Sequence, residues 1–169
     1  MAWRPTREKV VELDDLLTTL ARRRQAGERV AFTNGAFDLF HVGHLRSLEQ
    51  ARALADLLVV GVNSDASVRA YKSPDRPVLP RAERTELLAG LACVDFVVVF
   101  DESTAERLVA ALRPDVYVKG ADYATKPIPE ADIVRGYGGR VKLIPLEAGR
   151  SSSGLIEEIA RRFGNIGES

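Results

Sequence analysis

The only two histidines of this chain stand three residues apart, in Asn34-Gly35-Ala36-Phe37-Asp38-Leu39-Phe40-His41-Val42-Gly43-His44. At the start of a helix, His41 and His44 fall on nearly the same face, where two imidazoles could donate hydrogen bonds to one phosphoryl group. Gly43 removes a side chain between them, and Gly35 lets the backbone turn close to a ligand. A helix N-terminus adds free N–H groups and positive potential at the same point. These parts suit nucleotidyl transfer. That reaction needs no nucleophilic side chain, because an acceptor phosphate oxygen attacks the α-phosphorus. The protein has to align two substrates and stabilise the charge on the crowded phosphorus. Metal binding competes for the same pair, but no cysteine lies nearby and no third ligand is evident. Two unrelated core histidines are the blander reading. Gly-x-Gly-x-x-Gly and Walker A patterns are absent, which argues against a dehydrogenase and a P-loop enzyme.

For this chemistry the segment must leave a strand and enter a helix, and the flanking pattern supplies both. Arg29 to Thr33 reads as a strand and Val42 to Ala55 as a helix. Leu57–Val62 and Phe96–Phe100 are unbroken apolar runs, hence buried strands; Val116–Lys119 and Val141–Ile144 follow as strands four and five. Between them lie helices at Ala66–Tyr71, Ala82–Leu91, Pro129–Tyr137 and Ser153–Phe163, the last with Leu155, Ile156, Ile159 and Phe163 on one face. Ser103-Thr104-Ala105-Glu106 has the form of a capping box opening a helix that ends near Arg113-Pro114. An N-terminal helix carries Leu13, Leu16, Leu17 and Leu20 on one face, ends in Arg22-Arg23-Arg24 and stops at Gly27. Strands without polar alternation, separated by helices, imply an α/β fold: a single-domain, Rossmann-like parallel sheet of about five strands with helices on both faces. One domain over 1–169 is expected, with its core at about 28–163, a helical segment at 1–27 and a frayed tail from Gly164. Ligands of such sheets bind beyond the carboxyl ends of the strands.

The loops at that edge carry the remaining candidates. Lys72 and Arg76 lie in a proline-rich loop after the second strand, and Arg81 and Arg84 open the next helix. Asp65 serves equally as an N-cap or a ligand. After strand four, Gly120 permits close approach and Asp122 could accept from ribose hydroxyls, or simply belong to a turn. Ser151-Ser152-Ser153 precedes the last helix; serines there cap their own backbone and also make an anion site.

The bulk numbers set limits. Lys plus Arg and Asp plus Glu are 24 each, so no global field points to nucleic acid or an acidic membrane, and a phosphate-binding surface must be local. The single cysteine, Cys93, sits in an apolar stretch and reads as a buried structural thiol. No apolar run approaches the roughly 20 residues that span a bilayer, and Met1 to Pro5 lacks a signal peptide's apolar region. A reducing, cytoplasmic setting is expected.

Asn34-Gly35-Ala36-Phe37-Asp38 with His41-Val42-Gly43-His44 resembles the signature of the cytidylyltransferase-like HxGH nucleotidyltransferases. The resemblance extends to Lys72-Ser73-Pro74-Asp75-Arg76-Pro77-Val78, similar to a loop with a phosphate-binding lysine, and to Glu83-Arg84, similar to a helix start whose arginine reaches the triphosphate. Ser151-Ser152-Ser153 resembles the Ser-Thr-Thr turn that holds nucleotide phosphates. Within the superfamily, Gly61 to Arg69, Arg113 to Gly120, Ile128-Pro129-Glu130 and Gly138 to Val141 are similar to the adenylyltransferases of ADP-heptose synthesis, over residues of about 10 to 162. The resemblance implies AMP transfer from ATP to D-glycero-β-D-manno-heptose 1-phosphate. It implies Mg²⁺ carried mainly by the phosphates, and separate kinase and phosphatase steps upstream. Exposed edges in a small α/β domain make a homodimer the expected assembly.

In this reading His41, His44 and Lys72 are catalytic. Gly35, Phe37, Gly43, Arg84, Gly120, Asp122, Tyr123, Ser151, Ser152 and Ser153 bind nucleotide, and Asn34, Asp38 and Lys119 bind the acceptor. Ala36, Ser73 and Ala121 depart from the family's usual residues and put acceptor shape and loop mobility in question. A cytidylyltransferase for glycerol 3-phosphate or another polyol phosphate is the alternative within the superfamily, and a non-catalytic nucleotide sensor the alternative outside it.

Overall fold

The computed structural model describes residues 4–145, 149 and 151–164. Five parallel strands, β1 (Val30–Gly35), β2 (Leu57–Asn63), β3 (Phe96–Phe100), β4 (Val116–Gly120) and β5 (Arg140–Ile144), form one sheet in the order β3-β2-β1-β4-β5. The chain runs outward from β1 in both directions, so β1 and β4 are neighbours and the order reverses between them. A crevice opens at such a switch point, beyond the carboxyl ends of the strands. The helices are α1 (Leu13–Gln25), α2 (Val42–Arg52), α3 (Asp65–Tyr71), α4 (Arg81–Ala89), α5 (Glu106–Leu112), α6 (Glu130–Gly136) and α7 (Ser152–Phe163). One apolar cluster packs α1, α5 and α6 on one face of the sheet through Leu16, Leu20, Phe32, Leu112 and Val134. The other packs α2 and α4 on the opposite face through Leu48, Ala51, Leu88, Val60 and Val118. Both layers are what continuous apolar strands require.

The element pattern follows the sequence expectation, with differences that have tertiary causes. β1 runs on to Gly35 because its ladder to β2 continues through Gly35 and Val62. The capping box is absent: α5 starts after Ala105 with no side-chain cap. Thr104 instead donates to the Glu106 carboxylate at 2.7 Å, and the buried Glu130 accepts from the Ala105 N–H at 2.9 Å. Asp65 does not cap α3; Ser64 does, accepting from Ser67 N–H at 3.3 Å. Cys93 is only partly buried, packed against the second cluster. Two short 3₁₀ turns, Thr6–Glu8 and Ala121–Thr125, join the expected elements. The tail beyond Gly164, and Arg150, lie outside the described residues.

The amino edge of the sheet shows one repeated device. Asp56, Asp95 and Asp115 each precede a strand, and each carboxylate accepts, at 2.8 Å, the N–H of a residue at the start of the neighbouring strand: Arg29, Leu58 and Val30. A parallel ladder leaves these first N–H groups unmet, and buried ones need a partner. Asp95 is buried, receives the Leu58 N–H and pairs with Arg52 at 3.2 Å. Replacing Asp95 by Ala strands a buried donor and is expected to cost about 1–3 kcal/mol of unfolding free energy, with Asn costing less. Urea denaturation of the two variants checks this, and an Ala variant as stable as the parent contradicts it.

Candidate active site

The connection from β1 to α2 is the centre of the site and is held against its own preferences. Phe37 and Leu39 both adopt left-handed backbone, φ 49°, a conformation that costs a residue with a side chain of order 1–3 kcal/mol unless its surroundings impose it. Two buried groups do so here. Arg84, from α4, donates through Nε to the Leu79 carbonyl at 3.0 Å and through Nη2 to the Asn63 carbonyl at 3.0 Å and the Asp65 carboxylate at 2.6 Å; Nη1 donates to the Ala36 carbonyl. Asp38, also buried, accepts from Arg76 Nε at 2.8 Å and from the Val78 and Leu79 N–H groups at 2.9 Å. Its own carbonyl accepts from the Ser152 hydroxyl at the start of α7. Burial works against the charge of Asp38, but the three donors outweigh it and hold the carboxyl below the usual aspartate range.

On this frame the two imidazoles stack, ring centroids 3.9 Å apart. His41 is the N-cap of α2, and its Nδ1 accepts from the Gly43 N–H at 3.1 Å. That bond leaves the proton of neutral His41 on Nε2. His44 is wedged between Phe37 and Phe40, each 5.5 Å away between ring centroids. Its Nδ1 is sealed from solvent without a partner, so Nε2 is the nitrogen able to meet a ligand. Burial, and then the neighbouring His41 and Lys72 charges, push the His44 pKa down to about 4 against a smaller opposing effect of Asp38. Near neutral pH, His44 is thus an uncharged donor.

A cavity of about 200 Å³ opens beside this pair. Among its lining residues are Asn34, Gly35, Phe37, Asp38, His44, Lys72, Lys119, Gly120 and Ser152, nine of the residues expected from the sequence. Lys119, at the end of β4, is buried and donates to Asn34 Oδ1 at 3.0 Å. Lys72 sits where α3 gives way to the loop, its pKa lowered by burial and by Arg76. Asn34 fits between strands because Gly61 faces it: a Cβ there would come within 2.8 Å of the Phe32 ring and 3.2 Å of the Asn34 Cβ.

Other expected residues are placed elsewhere. Arg84 does not reach the cavity; four of its five N–H donors are bonded inside the protein, and the expectation that it contacts nucleotide is corrected to that of an internal brace. Asp38 borders the cavity, but both carboxylate oxygens are committed to the loop, so its expected bond to acceptor hydroxyls gives way to anchoring that loop. Asp122 pairs with Lys126 at 3.0 Å and faces solvent. Tyr123 approaches the site only through Lys119, whose ammonium lies 4.8 Å from the ring centroid. Ser151 caps α7, accepting from Gly154 N–H at 3.0 Å, and Ser153 is exposed. His41 is half-buried and stacked on His44, and Gly43, whose N–H His41 accepts, is buried. Sequence reading missed Arg76 as the loop's tie and Tyr117 beneath Lys119. Tyr117 lies two residues before Lys119 on one strand face, a period that could have marked it.

Comparison with known proteins places this geometry. The cytidylyltransferase-like family matches residues 32–148, and the chain belongs to that family of nucleotidyltransferases. Among curated relatives, it is 51% identical over 150 residues to the bifunctional protein HldE of Syntrophotalea carbinolica, covering 89% of this chain and 31% of that protein. It is 49% identical over 160 residues to the bifunctional protein HldE of Geotalea uraniireducens, covering 95% and 32%. The chain therefore spans about a third of the length of these relatives. Among solved structures, the lipopolysaccharide core biosynthesis protein from Thermoplasma volcanium aligns with TM-score 0.59 and 25% identity, over 71% of this chain and 97% of that one. Pantothenate synthetase from Thermus thermophilus shares the fold, with TM-score 0.59 at 20% identity over 87% and 64% of the two chains. No described helix is long and apolar enough to cross a membrane.

A depressed histidine pKa has a readable consequence. In the ligand-free protein, NMR titration should show His44 remaining neutral until the pH approaches 4. An unfolded chain protonates this histidine near 6.5, so the stability contributed by neutral His44 is present above 6.5 and lost as pH falls from there toward 4. His44→Gln should flatten that part of the stability profile. A His44 that titrates at 6.5 or above contradicts the burial argument.

Proposed function

We propose that the chain transfers AMP from ATP to a heptose 1-phosphate, releasing pyrophosphate and forming an ADP-sugar. The observation that carries this reading is the ring of hydrogen-bond donors around one small cavity at the β1/β4 switch point: His44 backed by His41, Lys72 on the loop, and Lys119 with Asn34 from the two strands. A reaction between two phosphate-bearing substrates needs such donors and no nucleophile of the protein's own. The heptose acceptor is supported by the likeness of Gly61 to Arg69, Arg113 to Gly120 and the Gly138 turn to ADP-heptose adenylyltransferases. HldE relatives at 43–51% identity support it further, as does a structural relative titled a lipopolysaccharide core biosynthesis protein.

In this mechanism Nε2 of His44 donates to the α-phosphoryl group at the N-terminus of α2. His41, fixed by the Gly43 amide, holds the neighbouring ring and presents its own Nε2–H. Lys72 balances triphosphate charge from the loop that Arg76 ties to Asp38. Lys119 and Asn34 meet the acceptor phosphate, whose oxygen attacks the α-phosphorus as the bond to pyrophosphate breaks. Among the described residues, no group of three or more His, Cys, Asp or Glu is placed to hold a metal ion. The lining suits the phosphates rather than a cation, so a Mg²⁺ ion would be held by the nucleotide's own phosphate oxygens, whose charge it would offset.

Coupled pyrophosphate assays test the substrate. ATP with D-glycero-β-D-manno-heptose 1-phosphate should give efficient turnover, and CTP with glycerol 3-phosphate almost none; the reverse order overturns the heptose reading and favours a polyol phosphate cytidylyltransferase. His44→Ala should keep the fold and lose about 10²–10³ in turnover, the effect of removing one preorganised donor. Lys72→Ala should weaken the use of ATP more than that of the acceptor, and an effect confined to the acceptor KM would relocate the loop.

A further inference from the structure

At the carboxyl ends of β1 and β4, the half-buried Asn34 meets two buried groups, Tyr117 and Lys119. The Asn34 Oδ1 accepts from the Tyr117 hydroxyl at 2.7 Å and from the Lys119 ammonium at 3.0 Å. A carbonyl oxygen has two lone pairs, so this oxygen is full. The amide orientation of Asn34 is thereby decided: its NH₂ is the only part left to meet a ligand. Lys119 lies over the ring of Tyr117 at 5.3 Å and that of Tyr123 at 4.8 Å from the centroids. With one donor on Asn34 and aromatic rings on two sides, its remaining N–H groups have the cavity to face. A buried ammonium needs a counter-charge. Glu130, at the start of α6, is 3% exposed and uses one oxygen for the Ala105 N–H. The carboxylate acts electrostatically on both Lys119 and Tyr117.

We propose that Tyr117 is a positioning residue for acceptor binding: it locks the Asn34 amide with its NH₂ outward. Asn34 and Lys119 then present donors alone, the arrangement that suits a phosphate, whose oxygens only accept, better than a hydroxyl, which also has a proton to donate. This rests on the reading that the acceptor phosphate lies at Lys119. Asn34 and Lys119 touch the ligand; Tyr117 acts through them.

The test uses Tyr117→Phe, which keeps both the ring under Lys119 and the stack on Phe32 (centroids 5.7 Å apart) and removes only the hydroxyl that holds the Asn34 oxygen. The comparison uses whichever sugar phosphate the parent turns over, so it stands or falls apart from the identity of the acceptor. The variant should raise the acceptor KM about tenfold and leave the ATP KM within twofold, with an unchanged thermal midpoint. An unchanged acceptor KM, or equal changes in both KM values, overturns the proposal.

Discussion

The Arg84 guanidinium lies in the interior with no solvent to turn to, and the walls of the cleft lean on it. It bonds the carbonyl after Gly35, the last carbonyl of β2 with the first side chain of α3, and the loop before α4, so three segments share one planar fork. A desolvated cation of this kind is tolerated only when its donors are met, and the carbonyls it needs are those that turns at the ends of parallel strands leave unpaired. The left-handed residues Phe37 and Leu39 are held between Arg84 and Asp38. The histidines inherit their position from that conformation. The arginine thus serves the chemistry by making the β1–α2 connection rigid, without meeting a substrate.

Charge is arranged in two layers around the cavity. The inner layer consists of donors fixed in place: a neutral imidazole, a lysine set between two aromatic rings, and an amide turned outward. The outer layer, Asp38 with Arg76 and Arg84 with Asp65, consists of salt bridges that fix loops. A net charge of zero for the chain conceals this, because the separation is local. Preorganised donors in a partly dry site act without reorganising during reaction. The sealed Nδ1 of His44 and the filled oxygen of Asn34 are examples, since each leaves its side chain a single way to meet phosphate.

How legible this was in the sequence varied with the range of the interaction. The apolar runs Leu57 to Val62 and Phe96 to Phe100 could only be buried strands, and the alternation with helices allowed few folds. The His41–His44 spacing and the loops after each strand gathered most of the cavity lining, because strand order places those loops at one edge. Roles set by tertiary contact were hidden. Arg84 and Lys72 are both cations in basic surroundings, and no pattern in the chain says which will be enclosed. Ser103 to Glu106 has the spacing of a capping box, yet the Glu106 carboxylate meets the Thr104 hydroxyl instead, and the Ala105 N–H beside it is taken by Glu130, 25 residues away. Asp38 has the look of a ligand because of its neighbours, and only the folded Pro77–Pro80 loop reveals where its oxygens go.

The segment before α1 closes one side of the sheet. Lys9 accepts the Val97 N–H at 2.7 Å and Val11 donates to the Val97 carbonyl at 3.0 Å, so a short stretch of backbone lies along the outer edge of β3. The Lys9 ammonium bonds the Leu91 and Val94 carbonyls beneath it. At the far side, β5 has no such cover among the described residues, and alternate positions of that strand carry the charged side chains Arg140 and Lys142 toward solvent. An uncovered edge is a template for strand addition, and charge discourages it. The two margins are thus protected by different means, backbone on one and lysine and arginine on the other. Trimming the first dozen residues would leave the apolar Phe96–Phe100 strand bare and turn a covered margin into an adhesive one.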